Sequence, residues 1–357
     1  MALLLCFAVL HAQHGPWGMP KDSVEACYRS AVELFSAARY DDAAALLRKA
    51  ADNGHADAQY DYGLCCFNGN GVPEDHTEAV AWYRKAAFQG LPEAQYTLGV
   101  CYEQGYGVDA SGEYAVDWYM LAAAQGYAPA QSALGVAYYN GSGVGQDYQV
   151  AAEWFRRAAE QGDAEAQFNL GQCYYNGEGV TKDIIEAASW WLKAAEQGHA
   201  DAQFNIGECY ENGEGVSNYI TEAAKWYTKA AEQGIAKAQY NLGVCCYKGD
   251  GTTQSHAEAI KWYTRAAEQG YDKAQYNLGN CYFAGEGVTK DLTKALKWYL
   301  KAAELGDADA QYKVGNFYKE GTGTTQNKEE AIKWYRKAAA QNHAEAKKSL
   351  TDLESAQ

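Results

Sequence analysis

The chain has 357 residues, of which 48% are hydrophobic, a content that is normal for a folded protein and excludes wholesale disorder. Its 46 acidic and 30 basic residues give a formal net charge of −16, which disfavours nucleic acid and anionic membrane surfaces as partners. Aromatic residues are frequent, with 29 tyrosines and 10 tryptophans, and 36 glycines fit many tight turns of one type.

The first 20 residues form an N-terminal segment with an apolar run over residues 2–10. This run is too short to span a bilayer, which needs about 20 residues. It is either a weak signal peptide or a disordered start. Two features count against a signal peptide: no Lys or Arg precedes the run, and Ala12 is a poor cleavage site. No other stretch is apolar enough to cross a membrane, so we expect no integral membrane segment.

Residues 21–54 are predicted to form the two helices of an atypical first unit. Apolar residues at helical spacing, such as Val24, Ala31 and Leu34, indicate the first helix. Leu46 stands in the second helix where later units carry tryptophan, and the long Gly-rich turn is absent. We interpret this unit as a hairpin that caps the open end of an array.

Residues 55–342 repeat with a period of 36 residues, which is marked by glutamines at positions 59, 95, 131, 167, 203, 239, 275 and 311. A fixed period of this size is typical of a solenoid of helical hairpins. Each of the eight repeats is predicted to contain a first helix, a Gly-rich connector such as Asn176–Val180, and a second helix. We interpret the connector as a helix-to-helix turn, since no Lys-Ser/Thr follows it as in a nucleotide-binding loop.

A glycine recurs inside the first helices, at positions 63, 99, 135, 171, 207, 243, 279 and 315. Glycine inside a helix costs about 1 kcal/mol relative to alanine, so its recurrence predicts a close helix–helix contact that a side chain would block. The second helices carry tryptophan followed by another aromatic residue and then an alanine pair, as in Trp226, Tyr227, Ala230 and Ala231. This pattern predicts an interlocked core rather than a ligand cage.

Residues 343–357 begin one more first helix but depart from the pattern, with Lys347 in place of the glutamine and Thr351 in place of the glycine. They are predicted to form a C-terminal capping helix.

The combined motif A-x-A-Q-x-x-L-G-x-x-Y-x-x-G-x-G-V and A-x-x-W-Y-x-x-A-A-x-x-G resembles the Sel-1-like repeat, a longer relative of the tetratricopeptide repeat. The resemblance covers residues 55–342, whereas residues 21–54 look more like a tetratricopeptide hairpin. It implies an all-α fold, a right-handed α/α superhelical solenoid of 36-residue helical hairpins. It also implies a role as a scaffold or adaptor for protein complexes.

One secreted branch of that family carries cysteines that bridge the two helices of each hairpin. The corresponding positions here hold Ala159 and Gln167, so neither those disulfides nor the branch's reported enzymatic activity is expected. Six of the ten cysteines instead share one phase, at positions 65, 101, 173, 209, 245 and 281. Equivalent helices of stacked repeats lie about 10 Å apart, which is too far for a disulfide. We therefore expect buried, reduced thiols.

We expect no catalytic, cofactor or metal site, because no His-Glu-x-x-His, Gly-x-Ser-x-Gly or Cys-x-x-Cys motif occurs. A hydrolase on the same solenoid is the least favoured alternative. Reduced cysteines favour a cytoplasmic location. The alternative is secretion, or a periplasmic or ER-lumenal location, if residues 1–12 are a signal peptide.

Binding is predicted on the concave side, to which the resemblance assigns the first helices. There, aromatic rings and amides would anchor an extended or helical segment with basic side chains. The alternative is that these rings only pack between repeats, in which case the chain is a structural spacer. We predict a monomeric, non-enzymatic scaffold for a protein or peptide partner. The predicted contact residues are Tyr60, Tyr96, Phe168, Gln172, Tyr175, Phe204, Glu208, Tyr240, Tyr247, Tyr276, Asn280, Tyr312 and Asn316.

Overall fold

The computed structural model describes residues 19–355, and all of their regular secondary structure is α-helical. The predicted all-α class is therefore confirmed. The segment that carries the signal-peptide alternative, residues 1–18, lies outside the described residues. The chain divides into two compact units, the first ending at Asp183 and the second beginning at Ile184.

Residues 19–183, the described part of the first unit, form nine helices, each packed against its neighbours in chain order. Every odd-numbered helix from α3 onward is the first helix of a repeat, and the next even-numbered helix is the second. The helices are α1 (Lys21–Ser36), α2 (Tyr40–Asp52), α3 (Ala56–Asn68), α4 (His76–Phe88), α5 (Pro92–Gln104), α6 (Gly112–Ala124), α7 (Ala128–Asn140), α8 (Tyr148–Glu160) and α9 (Ala164–Asn176).

The second unit continues the same alternation over ten helices. They are α10 (Ile184–Glu196), α11 (Ala200–Asn212), α12 (Ile220–Glu232), α13 (Ala236–Lys248), α14 (His256–Glu268), α15 (Asp272–Ala284), α16 (Leu292–Glu304), α17 (Ala308–Glu320), α18 (Lys328–Ala340) and α19 (Ala344–Ser355).

Short polar side chains cap the N-termini of the second helices. The Asp75 carboxylate accepts a hydrogen bond from the Glu78 backbone N–H at 2.9 Å, and the Asn327 side chain accepts one from Glu330 at 3.0 Å. Such caps satisfy backbone donors that have no partner inside the helix. Tyr219 occupies the same position before α12 and provides no side-chain cap.

The glycines inside the first helices touch the buried aromatic ring of the second helix in the same repeat. A Cβ at Gly243 would lie 2.6 Å from the Tyr263 ring, and one at Gly279 would lie 2.7 Å from the Tyr299 ring. Both rings are at most 2% exposed. The predicted close helix–helix contact is therefore confirmed, and the same geometry occurs at Gly63, Gly99, Gly135, Gly207 and Gly315.

The repeating glutamines form a hydrogen-bond ladder that joins the two helices of each repeat to each other and to the preceding repeat. Gln239 is 4% exposed and donates to the Ala231 carbonyl at 3.1 Å, while its own side-chain oxygen accepts a 2.8 Å hydrogen bond from Gln269. Gln269 also donates to the Gly234 carbonyl at 3.0 Å. The pairs Gln89–Gln59, Gln125–Gln95, Gln161–Gln131, Gln233–Gln203 and Gln341–Gln311 repeat the contact.

One rung of this ladder is missing in the second unit, because Leu305 stands where the donor glutamine belongs. The side chain of Leu305 is 59% exposed, and the buried Oε1 of Gln275 has no hydrogen-bond partner. An unsatisfied buried acceptor costs about 1–3 kcal/mol. The two helices of residues 272–307, and their link to the preceding repeat, thus lack a donor that equivalent repeats have.

Leu305→Gln is expected to raise the free energy of unfolding by about 1–2 kcal/mol, because it supplies the missing donor to Gln275 and removes an exposed leucine. Urea denaturation measures the change. Leu305→Glu is the matched control, since an ionised glutamate has the same length but no donor. Equal stability of the two variants would contradict the assignment.

Candidate partner-binding face

In six repeats the aromatic residue after the repeating glutamine packs against the buried aromatic of its own hairpin. The ring centroids of Tyr60 and Tyr83 are 5.7 Å apart, and those of Tyr240 and Tyr263 are 6.0 Å apart. One side of each ring thus packs inward, and the first-helix rings remain partly exposed, except that Phe204 is only 7% exposed. The other pairs are Tyr96–Tyr119, Phe204–Tyr227, Tyr276–Tyr299 and Tyr312–Tyr335.

The predicted residues of α9 occupy the same face of their helix. Phe168, Gln172 and Tyr175 are all partly buried. The Lys182 ammonium lies 5.3 Å from the centroid of the Tyr175 ring, close enough for a cation–π contact.

Two of the predicted amides are engaged by core tyrosines. The Tyr299 hydroxyl donates to Oδ1 of Asn280 at 2.7 Å, and the Tyr335 hydroxyl donates to Oδ1 of Asn316 at 2.6 Å. These bonds satisfy buried hydroxyls that would otherwise destabilise the core. Asn280 and Asn316 therefore have a structural role, in addition to any contact with a partner.

Tyr83 is the exception, because its buried hydroxyl has no partner. In its repeat Leu64 and Phe67 occupy the positions that carry Asn280 in α15 and the acceptor Glu103 in α5. Tyr299→Phe is expected to lower the free energy of unfolding by about 1–2 kcal/mol, whereas Tyr83→Phe should be neutral or stabilising. Urea melts of the two variants provide the comparison, and equal losses would contradict the hydrogen-bond assignment.

A cavity of about 300 Å³ opens between two consecutive first helices of the second unit, α13 and α15. It brings together three of the predicted residues, Tyr240, Tyr247 and Asn280. The remaining lining residues are Val244, Lys248, Tyr263, Asn277 and Cys281. Three aromatic rings and two amides thus converge on one concave site, an arrangement typical of side-chain recognition.

Asn277 is a lining residue that the sequence interpretation missed. Burial raises the pKa of Tyr240, and a hydrogen bond from the Asn277 side chain opposes this increase. The signal was present in the sequence, because asparagine recurs two residues after the glutamine, at positions 169, 205, 241 and 277. The Asn277 amide therefore links the Tyr240 hydroxyl to the next repeat.

The tyrosine hydroxyls and the cysteine thiol in this cavity keep their protons near neutral pH. A hydrogen bond to Glu286, with burial, raises the pKa of Tyr247 to about 12, and burial raises the pKa of the Cys281 thiol to about 11. Cys281 is 2% exposed, so it lacks the thiolate character and access of a reactive cysteine. These residues offer hydrogen bonds and apolar surface rather than acid–base or nucleophilic chemistry.

Glu208, on α11, is a partly buried carboxylate among the predicted contacts. Burial raises its pKa, Lys237 opposes that increase, and Glu211 and Glu214 add to it. Because the folded-state pKa lies above the unfolded value, the ionised carboxylate destabilises the fold. This cost is absent below the ordinary glutamate pKa of 4.5 and appears as the pH rises through the folded value.

Glu208→Gln is therefore expected to raise the melting temperature at pH 7, and the gain should shrink as the pH falls below the ordinary glutamate value. Thermal melts over a pH series measure it. Glu268→Gln, on the exposed end of α14, is the matched control and should show no such dependence. A gain that persists unchanged at low pH would contradict the burial assignment.

The nine cysteines of the described region are free, and eight of them are buried, including the six whose shared phase predicts it. Within residues 19–355, no group of three or more His, Cys, Asp or Glu side chains is arranged to hold a metal ion. None of the described helices combines the length and apolar character needed to cross a membrane.

The Sel1 repeat family model matches nine consecutive segments of the chain, and the protein therefore belongs to the Sel1 repeat family. Proteins of this family are typically non-catalytic scaffolds that bind other proteins. The predicted family and the all-α solenoid fold are confirmed. The matched residues are 24–55, 56–91, 92–127, 128–163, 164–199, 200–235, 236–271, 272–307 and 308–343.

Two solved structures illustrate the similarity. One is c5321, a protective antigen of uropathogenic Escherichia coli strains with an SLR fold; it is 40% identical, with a TM-score of 0.83 over 87% of this chain and 67% of that one. The other is a Sel1 repeat protein from Oxalobacter formigenes, which is 34% identical, with a TM-score of 0.62 over 86% of this chain and 89% of that one. No curated protein matches the chain.

Proposed function

We propose that this protein is a non-catalytic scaffold whose first helices bind a segment of a partner protein. The observation that carries the proposal is the cavity between α13 and α15, where Tyr240, Tyr247 and Asn280 meet. Residues of two consecutive first helices thus form one concave surface. Membership of a family of protein-binding scaffolds supports the same function.

The cavity suits an apolar or aromatic side chain of the partner. Such a side chain would pack between the rings of Tyr240 and Tyr247 and against Val244. The amides of Asn277 and Asn280 lie beside it and are suited to hydrogen bonds with the partner's peptide backbone. Because the chain carries a net charge of −16, a segment with flanking basic residues is favoured over an acidic one.

We further propose that the protein acts as a monomer in the cytoplasm. The buried, unpaired thiols support this location, since disulfides are rare in reducing compartments. Burial raises the pKa of the Cys209 thiol to about 12, so the pattern suits apolar packing rather than redox chemistry. A protein recovered with residues 1–12 removed from a secreted or periplasmic fraction would contradict the location.

A structural spacer is the second candidate, and one observation favours it. Each described ring pair, such as Tyr276 on Tyr299 at 5.7 Å, contributes to the packing of its own hairpin. A spacer requires this packing and nothing more. It does not require the cavity, and this difference separates the two functions experimentally.

Affinity capture from a lysate of the native host, with mass spectrometry, tests the proposal. Tyr240→Ala/Tyr247→Ala should lose partners that the wild type retains. Lys261→Ala/Arg265→Ala, on the exposed surface of α14, should retain them. Tyr247→Lys serves as a second variant that leaves the Tyr240–Tyr263 pair in place. If both cavity variants keep their helicity and the same partners, the spacer is the correct function.

A further inference from the structure

The second helices share a recurring surface feature, a cation that covers the tryptophan ring. In seven repeats a Lys or Arg three residues after the tryptophan lies 3.3–4.6 Å from the ring centroid, as Lys85 does over Trp82. Such contacts contribute about 0.5–1 kcal/mol at exposed sites and keep the ring covered by a charged group. The outer surface of these repeats is therefore polar.

The α6 helix departs from this pattern. Leu121 replaces the covering cation at Trp118, and it is 50% exposed. Phe88, at the end of α4, meets the Trp118 ring at a centroid distance of 5.5 Å and is itself 75% exposed. The corresponding position in most other repeats carries glutamate, as at Glu160. Apolar side chains thus replace charged ones on both sides of this tryptophan.

A second position of α6 has an apolar residue where the neighbouring repeats have arginine. Arg84 and Arg156, one repeat before and one repeat after, donate to the Tyr102 and Tyr174 hydroxyls at 3.1 and 2.9 Å. Met120 stands at the equivalent place in α6 and is 40% exposed.

Two exposed apolar side chains flank the partly buried Trp118 in a stripe on α6. Tyr114, Trp118 and Leu121 follow the i, i+4, i+7 spacing of one helix face, and Tyr114 is 58% exposed. Phe88 extends the stripe onto α4 through its contact with Trp118. We call these four residues the apolar stripe. Contiguous exposed apolar surface on a folded domain marks a contact site.

The acidic side chains beside the apolar stripe on α6 favour a basic partner. Residues 86–155 contain seven acidic side chains and no Lys, Arg or His. Two of the acids, Glu113 and Asp117, are exposed on α6 itself, beside the stripe. A second copy of the chain would bring like charges together there, and an anionic surface would be repelled for the same reason.

We infer that the apolar stripe is a docking surface for a basic amphipathic helix of another protein. Its apolar residues would lie along Tyr114, Trp118 and Leu121, and its Lys and Arg side chains would reach Glu113 and Asp117. The surface belongs to the second helix of its repeat in the first unit. It is therefore independent of the cavity between the first helices α13 and α15.

The test uses a fluorescein-labelled 14-residue peptide of leucine and lysine in amphipathic helical order, titrated by fluorescence anisotropy. The wild type should bind it. Phe88→Glu/Met120→Arg/Leu121→Lys should bind at least tenfold more weakly, although it restores residues that neighbouring repeats carry and should fold. Leu121→Lys alone provides a second variant with the same expected direction.

Two controls separate docking from general attraction to an acidic protein. Glu268→Gln changes the net charge by the same single unit as the triple substitution and should leave binding unchanged. A peptide of the same composition in scrambled order should bind weakly to every variant. Equal binding by wild type and triple variant, or equal binding of ordered and scrambled peptides, would overturn the inference. A wild-type dimer that the triple variant loses, seen by sedimentation, would make a second copy the occupant and overturn it too.

Discussion

Trp226→Ala is expected to lower the free energy of unfolding by about 3–5 kcal/mol. The Trp226 side chain is 8% exposed, and its ring is covered by the Lys229 ammonium at 3.9 Å from the centroid. Alanine removes this packed volume and leaves a cavity that α12 and its neighbours fill only in part. Because each repeat is stabilised by its nearest neighbours, we expect residues 200–271 to loosen before the rest of the second unit.

Urea denaturation measures the total loss, and hydrogen exchange by mass spectrometry locates it. Lys229→Ala is the control, since it removes the cation and leaves the indole packed; its cost should stay below about 1 kcal/mol. Uniform exchange along the second unit, with a single two-state transition, would contradict the nearest-neighbour picture.

Gly251→Ala is expected to cost about 3 kcal/mol or more, although it adds a single methyl group. Gly251 has φ +68°, a left-handed conformation that costs an L residue about 1–2 kcal/mol. A Cβ there would also lie 2.3 Å from the carbonyl oxygen of Ile220, at the start of the preceding second helix. Backbone cannot move aside as a flexible side chain can, so overpacking adds about 1–3 kcal/mol.

Gly270→Ala separates these two contributions. Gly270 also has a positive φ, +89°, but a Cβ there would meet nothing within 4 Å. Its cost should therefore be the conformational part alone, about 1–2 kcal/mol. Urea melts of both variants give the difference, which is the contribution of the contact between repeats. Equal losses at Gly251 and Gly270 would show that the Gly-rich connector does not pack against the preceding repeat.

The periodic sequence predicts most of the fold because each feature recurs at one phase. The helical glycine and the buried aromatic residue of a repeat, such as Gly243 and Tyr263, are always 20 residues apart. The steric constraint found in one repeat therefore applies to the others. The caps at Asp75 and Asn327 are equally predictable, because capping depends only on the residues of the first helical turn.

The hydrogen-bond network was not predictable in the same way. The repeating glutamine served as a marker of the period, whereas its role requires a second glutamine 30 residues later, as in Gln239 and Gln269. Likewise Asn280 was predicted as a partner contact, but it also accepts a bond from Tyr299. A helix pattern shows which face a polar side chain occupies, but not whether it bonds to a neighbouring helix or remains available to a partner.

The candidate site is predictable in part because its residues occupy fixed positions of the repeat. Tyr240, Tyr247 and Asn280 share a cavity because the sequence positions them on one face of consecutive first helices. Asn277 was missed, although its repetition with Asn241 was visible in the sequence. Aromatic residues on one helix face predict a binding surface, whereas a short amide between them gives no such signal.

Site-specific photo-crosslinking in the native host tests the central claim most directly. A benzophenone amino acid is placed at Tyr247, in the cavity, and in a second protein at Lys261, exposed on the second helix of the same repeat. The scaffold proposal predicts a discrete covalent adduct with a partner protein from position 247 and none from position 261. Adducts from position 261 alone, or from neither position while the protein remains folded, would contradict it.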